Sequence, residues 1–277
     1  MAQQPFDDIR ALIDDLPPPV GGFVAVEAGL GGLEPIIGWI AAWRGSATIN
    51  RPIIALYAGA HARFGDVEAT RAQLEAIASG AATVSRAAAH LGAGLDVFDL
   101  AIDRPVGDPA SGPTMSEREC AATMAFGMEA LAKQPDLLIL GALGGGADAA
   151  AESIDRALSG AAQAAGDPLQ ILRRLGGRET AAIAGAILAA RTQRVPVLLE
   201  GYPAAAAAAV LHAVSPGAIA HCRVGSITGG AGHQRLADRL ALTPLIDLGM
   251  TIQDGTGSAV ALSLVKLACA LPLDAAS

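Results

Sequence analysis

The residues best suited to chemistry lie near the C-terminus, in residues 247–259, which read Asp-Leu-Gly-Met-Thr-Ile-Gln-Asp-Gly-Thr-Gly-Ser-Ala. Asp254 stands directly before Gly255 and Gly257, and glycine lets the backbone take positive φ and lets a ligand approach closely. Ser258 opens an apolar run that predicts a helix. A carboxylate on such a turn is either an N-terminal helix cap or an acid or base at the rim of a ligand pocket.

This stretch resembles the C-terminal signature of the nicotinate-nucleotide:dimethylbenzimidazole phosphoribosyltransferases, which make the lower-ligand nucleotide of cobalamin. The turn in that family usually reads Glu-Gly-Thr-Gly. The resemblance implies that Asp254 is the catalytic base, with a side chain one methylene shorter than the family's glutamate. It also implies that Gly255 and Gly257 contact the substrate.

A second match covers residues 175–186, which read Leu-Gly-Gly-Arg-Glu-Thr-Ala-Ala-Ile-Ala-Gly-Ala. The family pattern is Leu-Gly-Gly-x-Glu-hydrophobic-Ala-Ala-Met-Ala-Gly-Ala. The resemblance implies that Gly176, Gly177 and Arg178 bind substrate, although a solvated surface arginine is an equally good interpretation of Arg178. We interpret Glu179 as a cap of the helix that follows.

Further matches stand where predicted strands end. Residues 59–62 read Gly-Ala-His-Ala against the family's Gly-Asp-His-Gly, so the histidine is kept, and a polar core or rim residue is its alternative interpretation. Residues 141–149 read Gly-Ala-Leu-Gly-Gly-Gly-Ala-Asp-Ala against Gly-Glu-Met-Gly-Ile-Gly-Asn-Thr-Thr, and residues 200–202 resemble Asp-Gly-Phe. The substrate-binding residues implied at these exits are His61, Gly141, Leu143, Gly144, Gly145, Gly146 and Gly201.

The exit at residues 141–149 keeps its glycines, whose N–H groups at a helix N-terminus can hold a phosphate. It has lost the family's glutamate, replaced by Ala142, and the Asn-Thr-Thr set, replaced by Ala-Asp-Ala. Because Asp148 would repel a nearby phosphate, we expect it to cap its helix and point away.

Two hypotheses follow. The first is an enzyme that transfers phosphoribose from nicotinate mononucleotide to 5,6-dimethylbenzimidazole or a similar base, giving α-ribazole 5′-phosphate without a cofactor or a metal. The second is a non-catalytic paralogue that keeps the fold and binds a nucleotide or a partner protein. The lost carboxylate at Ala142, the lost Asn-Thr-Thr set and Ala60 favour it.

Composition narrows the class of protein. The 277 residues are 52% hydrophobic and 17% charged, which predicts one large folded domain. The net charge of -8 argues against nucleic acid as a partner. We see neither a run of ~18 apolar residues nor a secretory signal. The three cysteines form no C-x-x-C pair, so we expect a reducing, cytoplasmic location and no zinc site.

Apolar runs at residues 52–58, 95–102, 136–140 and 195–200 predict strands, and helical patterns lie between them. We expect an α/β fold with a parallel, Rossmann-like sheet flanked by helices, as a single domain over residues 1–277. The N- and C-terminal segments should add a small helical appendage, with residues 1–45 as its N-terminal part. The pocket should lie at the carboxyl ends of the strands, near Gly59, Gly141, Gly201 and Asp254. The resemblance also implies a homodimer, and the apolar helix with Trp39 and Trp43 is the candidate contact.

Overall fold

A computed structural model describes residues 4–64, 66–160 and 166–272. Six parallel strands form one sheet in the order β2-β1-β3-β4-β5-β6. The strands are β1 (Pro52–Ala58), β2 (Gly94–Asp99), β3 (Leu137–Leu143), β4 (Val197–Glu200), β5 (Cys222–Ser226) and β6 (Pro244–Ile246). The expected parallel α/β fold is therefore confirmed, with two further strands, β5 and β6, that the hydrophobic pattern does not predict.

Eleven helices lie among the described residues and cover both faces of the sheet. They are α1 (Asp7–Asp14), α2 (Glu34–Arg44), α3 (Val67–Ala78), α4 (Thr83–Leu91), α5 (Glu117–Gly127), α6 (Ala147–Ser159), α7 (Pro168–Leu175), α8 (Arg178–Thr192), α9 (Gly201–Val214), α10 (Gly230–Arg239) and α11 (Thr256–Cys269). Short 3₁₀ turns occupy Gly31–Leu33, Met128–Leu131 and Pro216–Ile219. The sequence pattern predicts the helix at α6 over residues 147–164, and its part beyond residue 160 lies outside the described residues.

The third strand is longer than its pattern predicts. The prediction ended it before Gly141, but Gly141 pairs with Leu56 and the ladder continues to Leu143 opposite Ala58. Glycine suits this position inside the strand because a side chain would be crowded. A Cβ there would lie only 3.0 Å from Leu56 Cδ2. The expected exit at Gly141 is therefore wrong, and the chain leaves the sheet two residues later.

Alanine and glycine let the helices pack closely on the sheet. α8 and α9 are buried over almost their whole length. A Cβ at Gly127 in α5 would lie 1.9 Å from the Ala182 carbonyl oxygen in α8, and one at Gly185 would lie 1.8 Å from that of Met124. The two helix backbones thus touch directly, which is how a core so poor in aromatic residues is filled.

The terminal helices expected as an appendage lie on both faces of the sheet. α1 buries Ile9 and Ile13 in the cluster that contains α5 to α10, whereas α2 packs beside α11 in the cluster on the opposite face. That residues 1–45 form a separate part of a single domain stays a prediction.

The two tryptophans do not form an exposed contact surface. Trp39 and Trp43 are each 4% exposed. Trp39 Nε1 donates a hydrogen bond to the His221 carbonyl oxygen at 3.0 Å, and the guanidinium of Arg191 lies 4.3 Å from the Trp43 ring centre. The prediction that they form a dimer contact is wrong, because their apolar surface is covered by their own chain.

No helix in the described part of the chain is long and apolar enough to cross a membrane.

Candidate functional site

The candidate site lies at the carboxyl edge of the sheet, as expected for ligands of parallel α/β folds. Because the strands are parallel, Ala58, Leu143, Glu200 and Ser226 end at one edge. The Gly59 N–H extends the β1–β3 ladder by donating to the Leu143 carbonyl oxygen at 3.0 Å. Each loop that leaves the sheet here carries part of the site.

Asp254 is 5% exposed and stands at the entry to α11. Its Oδ1 accepts the N–H of Thr256 at 3.0 Å, so it does satisfy one N-terminal N–H, as the cap interpretation predicts. Its Oδ2 makes no hydrogen bond with any residue that the structure describes. Gly255 takes φ +94°, and a Cβ there would lie 3.1 Å from both Leu56 and Val84. The N-cap residue itself is Gly255, so Asp254 bonds the first helical N–H from one position further out and keeps its other oxygen available.

Glu200 is a buried carboxylate that the sequence analysis matched to the aspartate of the family's Asp-Gly-Phe but did not place among the site residues. It ends β4, is 2% exposed, and accepts three hydrogen bonds from the first turn of α11. Its Oε1 accepts the Gly257 N–H at 3.2 Å, and its Oε2 accepts the Ser258 N–H at 2.7 Å and the Ser258 hydroxyl at 2.5 Å. A charged residue that ends an otherwise apolar strand, directly before a glycine, is the signal that would have identified it.

The burial of Glu200 changes its acidity. Burial raises its pKa to about 7, the hydrogen bonds from Ser258 and Gly257 lower it in part, and the nearby charge of Asp254 raises it a little. The carboxylate that bonds the turn of Asp254 therefore has a pKa close to neutral pH.

A pocket of about 410 Å³ opens beside this turn. Three predicted residues line it, Gly144, Gly145 and Gly146, and so do Thr70 and Gln73 of α3. Its remaining lining residues are Asp66, Ala69, Ala142, Ala147, Asp148, Pro203, Thr251 and Gln253. Gln253 directly precedes Asp254, so the pocket and the candidate base share one loop.

The start of α6 forms one wall of this pocket. Gly144 and Gly146 have φ of +110° and +96°, and the N-cap Gly146 has no side chain to bond the first N–H groups. An uncapped helix N-terminus attracts an anion. Asp148 was expected to point away, but it lines the pocket, and its Oδ2 accepts a hydrogen bond from Gln253 Nε2 at 2.7 Å. That expectation is wrong, because Asp148 is the second residue of α6 and the N-cap position is Gly146.

His61 lies beneath the glycine loop. Its Nε2 lies 2.9 Å from Oε1 of Glu179, a residue with no exposed surface. Burial works to lower the pKa of His61, but the charge and hydrogen bond of Glu179 outweigh it and the pKa is raised. For Glu179 burial works to raise the pKa, and His61 outweighs it in the same way, so the pKa is lowered. The two therefore form a buried ion pair.

Three glycines give this ion pair its space. A Cβ at Gly59 would lie 2.0 Å from Glu179 Oε2, one at Gly177 would lie 2.2 Å from its Oε1, and one at Gly146 would lie 2.8 Å from the Cβ of His61. The polar-core interpretation of His61 fits this geometry. Glu179 sits in the first turn of α8, as the capping interpretation expects, but its main partner is His61.

Arg178 lies apart from the glycine-loop pocket. Its Nε and Nη2 donate to Glu119 Oε1 at 3.0 and 2.7 Å, and its Nη1 donates to the carbonyl oxygens of Arg104 and Leu100 at 2.5 and 3.4 Å. Its charge is thus already neutralised within the fold. Glu119 belongs to α5, whose N-cap Ser116 accepts the Glu119 N–H at 3.1 Å.

The other predicted binding residues have packing positions in the structure. Leu143 is 2% exposed and belongs to the core, and Gly141 lies within β3. Gly176 lies against Leu172, Gly201 has φ +78° beside Gln253, and a Cβ at Gly257 would lie 3.0 Å from Glu200 Oε1. Contact of these residues with substrate stays a prediction.

A larger groove of about 580 Å³ lies between α2, β6 and α11. Its walls are mainly apolar, with Trp39, Pro244 and Leu264 among them. It contains neither Asp254, Glu200 nor the glycine loop of residues 144–146. Neither Asp254 nor Glu200 lines the smaller pocket, but the glycine loop does, together with Gln253, the residue directly before Asp254. We therefore place the site at the smaller pocket.

Known proteins resemble this chain over nearly its whole length. The sequence profile of a phosphoribosyltransferase family matches residues 22–164 and 151–277. The nicotinate-nucleotide–dimethylbenzimidazole phosphoribosyltransferase of Allorhizobium ampelinum is 43% identical, covering 96% of this chain and 93% of the relative. That of Agrobacterium fabrum is also 43% identical, covering 98% and 93%. The crystal structure of CobT from Thermus thermophilus superposes with a TM-score of 0.78 at 24% identity, covering 96% of this chain and 95% of that one, which supports the fold.

Proposed function

Because the chain belongs to the nicotinate-nucleotide–dimethylbenzimidazole phosphoribosyltransferase family, we propose that it transfers the phosphoribosyl group of nicotinate mononucleotide to 5,6-dimethylbenzimidazole or a similar base. The products are α-ribazole 5′-phosphate and nicotinate. The observation that carries this proposal is the Asp254 turn, held at the carboxyl edge of the sheet beside the glycine-loop pocket. The relatives' names favour the enzyme over the non-catalytic paralogue.

Asp254 acts as the general base in this scheme. Its Oδ1 is bonded to the Thr256 N–H, so Oδ2 is the oxygen that takes the N–H proton of the incoming ring. The ring nitrogen then forms a bond to the anomeric carbon of the ribose. The bond from that carbon to the nicotinate nitrogen breaks, and its electron pair leaves with nicotinate. Atoms and charge balance with no further reactant.

The phosphate of the nucleotide fits best at the start of α6. The glycine loop there offers backbone N–H groups and the positive end of a helix dipole. Asp148 opposes an anion at this place, because two charges ~4 Å apart repel by roughly 4 kcal/mol at intermediate dielectric. Its hydrogen bond to Gln253 Nε2 supplies a donor that offsets part of this repulsion.

The remaining parts of the proposal concern partners and location. The substrates are small molecules, and the net charge of -8 disfavours nucleic acid.

Homodimer formation is carried over from the family resemblance and, with Trp39 and Trp43 buried, requires another surface. Light scattering at micromolar concentration tests it, and a monomer mass would contradict it. A cytoplasmic location stays a prediction.

Turnover of nicotinate mononucleotide plus dimethylbenzimidazole tests the proposed reaction. Asp254→Asn should lower kcat by on the order of 10²–10⁴ while the fold and nucleotide binding persist. Asp254→Glu should keep or raise activity. Asp247→Asn, an exposed aspartate of the same loop, is the matched control and should behave as the parent. Parental kcat in Asp254→Asn would remove Asp254 from the mechanism, and no turnover in either the parent or Asp254→Glu would support the non-catalytic paralogue.

Asp148→Asn tests the place of the phosphate. Removing the charge should lower KM for nicotinate mononucleotide by about tenfold or more, since a change of about 1.4 kcal/mol is tenfold. Glu152→Gln, on the next turn of α6 and 61% exposed in its side chain, is the control for loss of one negative charge. Equal effects of both substitutions on KM would place the phosphate elsewhere.

A further inference from the structure

We propose that Glu200 is the positioning residue of this site, holding the turn that carries Asp254 against the end of the sheet. This inference rests on the proposed function for its effect on turnover. It goes beyond that function because Glu200 does not line the pocket and acts through the backbone of the turn.

The hydrogen bonds at the start of α11 carry the argument. The N–H groups of Thr256, Gly257 and Ser258 are the first three of the helix, and each has a carboxylate oxygen as its acceptor. Asp254 takes the first, and Glu200 takes the other two together with the Ser258 hydroxyl. The helix N-terminus is therefore filled by two carboxylates, one from its own turn and one from β4, and these three N–H groups are not free to bind a phosphate.

Tight packing fixes this arrangement. A Cβ at Gly225 of β5 would lie 2.1 Å from the Ser258 hydroxyl oxygen, so only glycine leaves room for that side chain. The space around Gly257 is bounded at 3.0–3.1 Å by Glu200, Ser226 and Thr228. The turn cannot slide along the sheet without losing the bonds to Glu200.

The consequence for catalysis is geometric. A general base has to lie within hydrogen-bond reach of the proton it takes, and a misplacement of about 1 Å lowers the rate by about 10²-fold. Asp254 has a short side chain with one oxygen already bonded to its own turn. Its reach therefore depends on where that turn is held, and Glu200 is the residue that ties the turn to β4.

Kinetics of Glu200→Gln, Asp254→Asn and the double variant test the proposal. Glu200→Gln should lower kcat by about 10- to 100-fold with little change in KM for nicotinate mononucleotide. In the Asp254→Asn background the same substitution should change kcat by less than about twofold, because the group that it positions is already gone. Glu129→Gln, an exposed glutamate, is the charge control. Independent, multiplicative effects of the two substitutions would overturn the positioning role.

Hydrogen exchange of the turn provides a readout that needs no turnover. The amides of Gly257 and Ser258 should lose protection in Glu200→Gln and keep it in Glu129→Gln. Unchanged protection overturns the proposal even in an active enzyme. If the parent shows no turnover but protection is lost as expected, the proposed function fails while the role of Glu200 in holding the turn stands.

Discussion

The carboxyl edge of the sheet has two halves, one at β1 and β3 beside the buried Glu179 and one at β4 with the buried Glu200. The two glutamates differ in the groups that stabilise their charge. Glu179, beside β1 and β3, faces a cation, the imidazolium of His61. Glu200, at the end of β4, accepts hydrogen bonds from the N–H and O–H groups at the start of α11. The pKa of Glu179 is lowered, because His61 outweighs its burial, and that of Glu200 is raised by burial to about 7.

The difference shows what a buried carboxylate needs. At Glu200 the hydrogen-bond donors offset the effect of burial only in part, whereas at Glu179 the opposite charge 2.9 Å away outweighs the effect of burial on the pKa. The lowered pKa of Glu179 keeps this carboxylate charged over the neutral pH range. The half held by Glu200, which carries the candidate base, changes charge within that range. Substitutions in each half test this contrast.

The largest effect on stability should come from breaking the ion pair. His61→Leu leaves the wholly buried carboxylate of Glu179 without its partner, so the free energy of unfolding should fall by about 3–5 kcal/mol. Glu179→Gln should cost less, because His61 can lose its proton. His90→Leu, at an exposed position of α4, is the control, and urea denaturation is the measurement. A loss below about 1 kcal/mol for His61→Leu would contradict a charged pair.

The next effect concerns the pH dependence of stability, and its sign differs between the two glutamates. Because the pKa of Glu179 is lowered on folding, this group stabilises the fold at pH values above its unfolded pKa of about 4.3. Because the pKa of His61 is raised on folding, this group stabilises the fold fully at pH values below its unfolded pKa of about 6.5. Parent and His61→Leu should therefore differ most between those values. The raised pKa of Glu200 makes stability fall as pH rises from about 4.3 through about 7, by on the order of 3 kcal/mol.

Urea denaturation of the parent and Glu200→Gln from about pH 5 to about pH 8 measures this slope. The fall with rising pH should be smaller in the variant than in the parent, because the contribution of Glu200 is removed while that of His61 remains. Equal slopes in the two proteins would mean that Glu200 titrates as an ordinary glutamate, and the contrast between the two halves would be lost.

A smaller effect should come from the glycine that lies against the ion pair. Gly146→Ala places a methyl group 2.8 Å from the Cβ of His61 at a φ of +96°, and should cost about 2 kcal/mol. Gly31→Ala has positive φ, +54°, but open space, so it isolates the backbone strain and should cost about 1 kcal/mol. Thermal unfolding of both variants measures the difference, and equal losses would show that the ion pair yields to the methyl group.

The smallest effect should come from the hydroxyl that bonds Glu200. Ser258→Ala removes one hydrogen bond of 2.5 Å and leaves the two backbone N–H donors, so it should cost about 1 kcal/mol. Ser263→Ala, an exposed serine of the same helix, is the control. A loss as large as that of His61→Leu would mean that the hydroxyl, rather than the helix N-terminus, supports the Glu200 charge.

Local sequence patterns predicted most of the fold. The continuous apolar run at Pro52–Ala58 is the strand with those bounds. The pattern failed where residue size overruled it, at Gly141, which continues β3 because its lack of a side chain fits beside Leu56. β6 has only three residues, all half-buried, too few to show a period.

The site was harder to predict because its contacts join distant segments. Asp254 and the glycine loop were found from local motifs. Glu179 and His61 are 118 positions apart, and Glu200 and Ser258 are 58 apart, so no spacing along the chain connects them. At Arg178 a local motif gave the wrong indication. A basic residue beside two glycines suggested an anion site, but the partner of Arg178 is Glu119 of another helix.

The burial of the α2 aromatic residues also sets what intrinsic fluorescence can report. Both tryptophans of the chain lie in α2, against His221 and beneath the Arg191 guanidinium, away from the glycine-loop pocket. Emission should therefore be blue-shifted in the native protein and silent to nucleotide titration. It should instead follow the detachment of α2 from the sheet. Coincident emission and circular-dichroism transitions would mean that residues 34–44 unfold with the sheet as one cooperative unit.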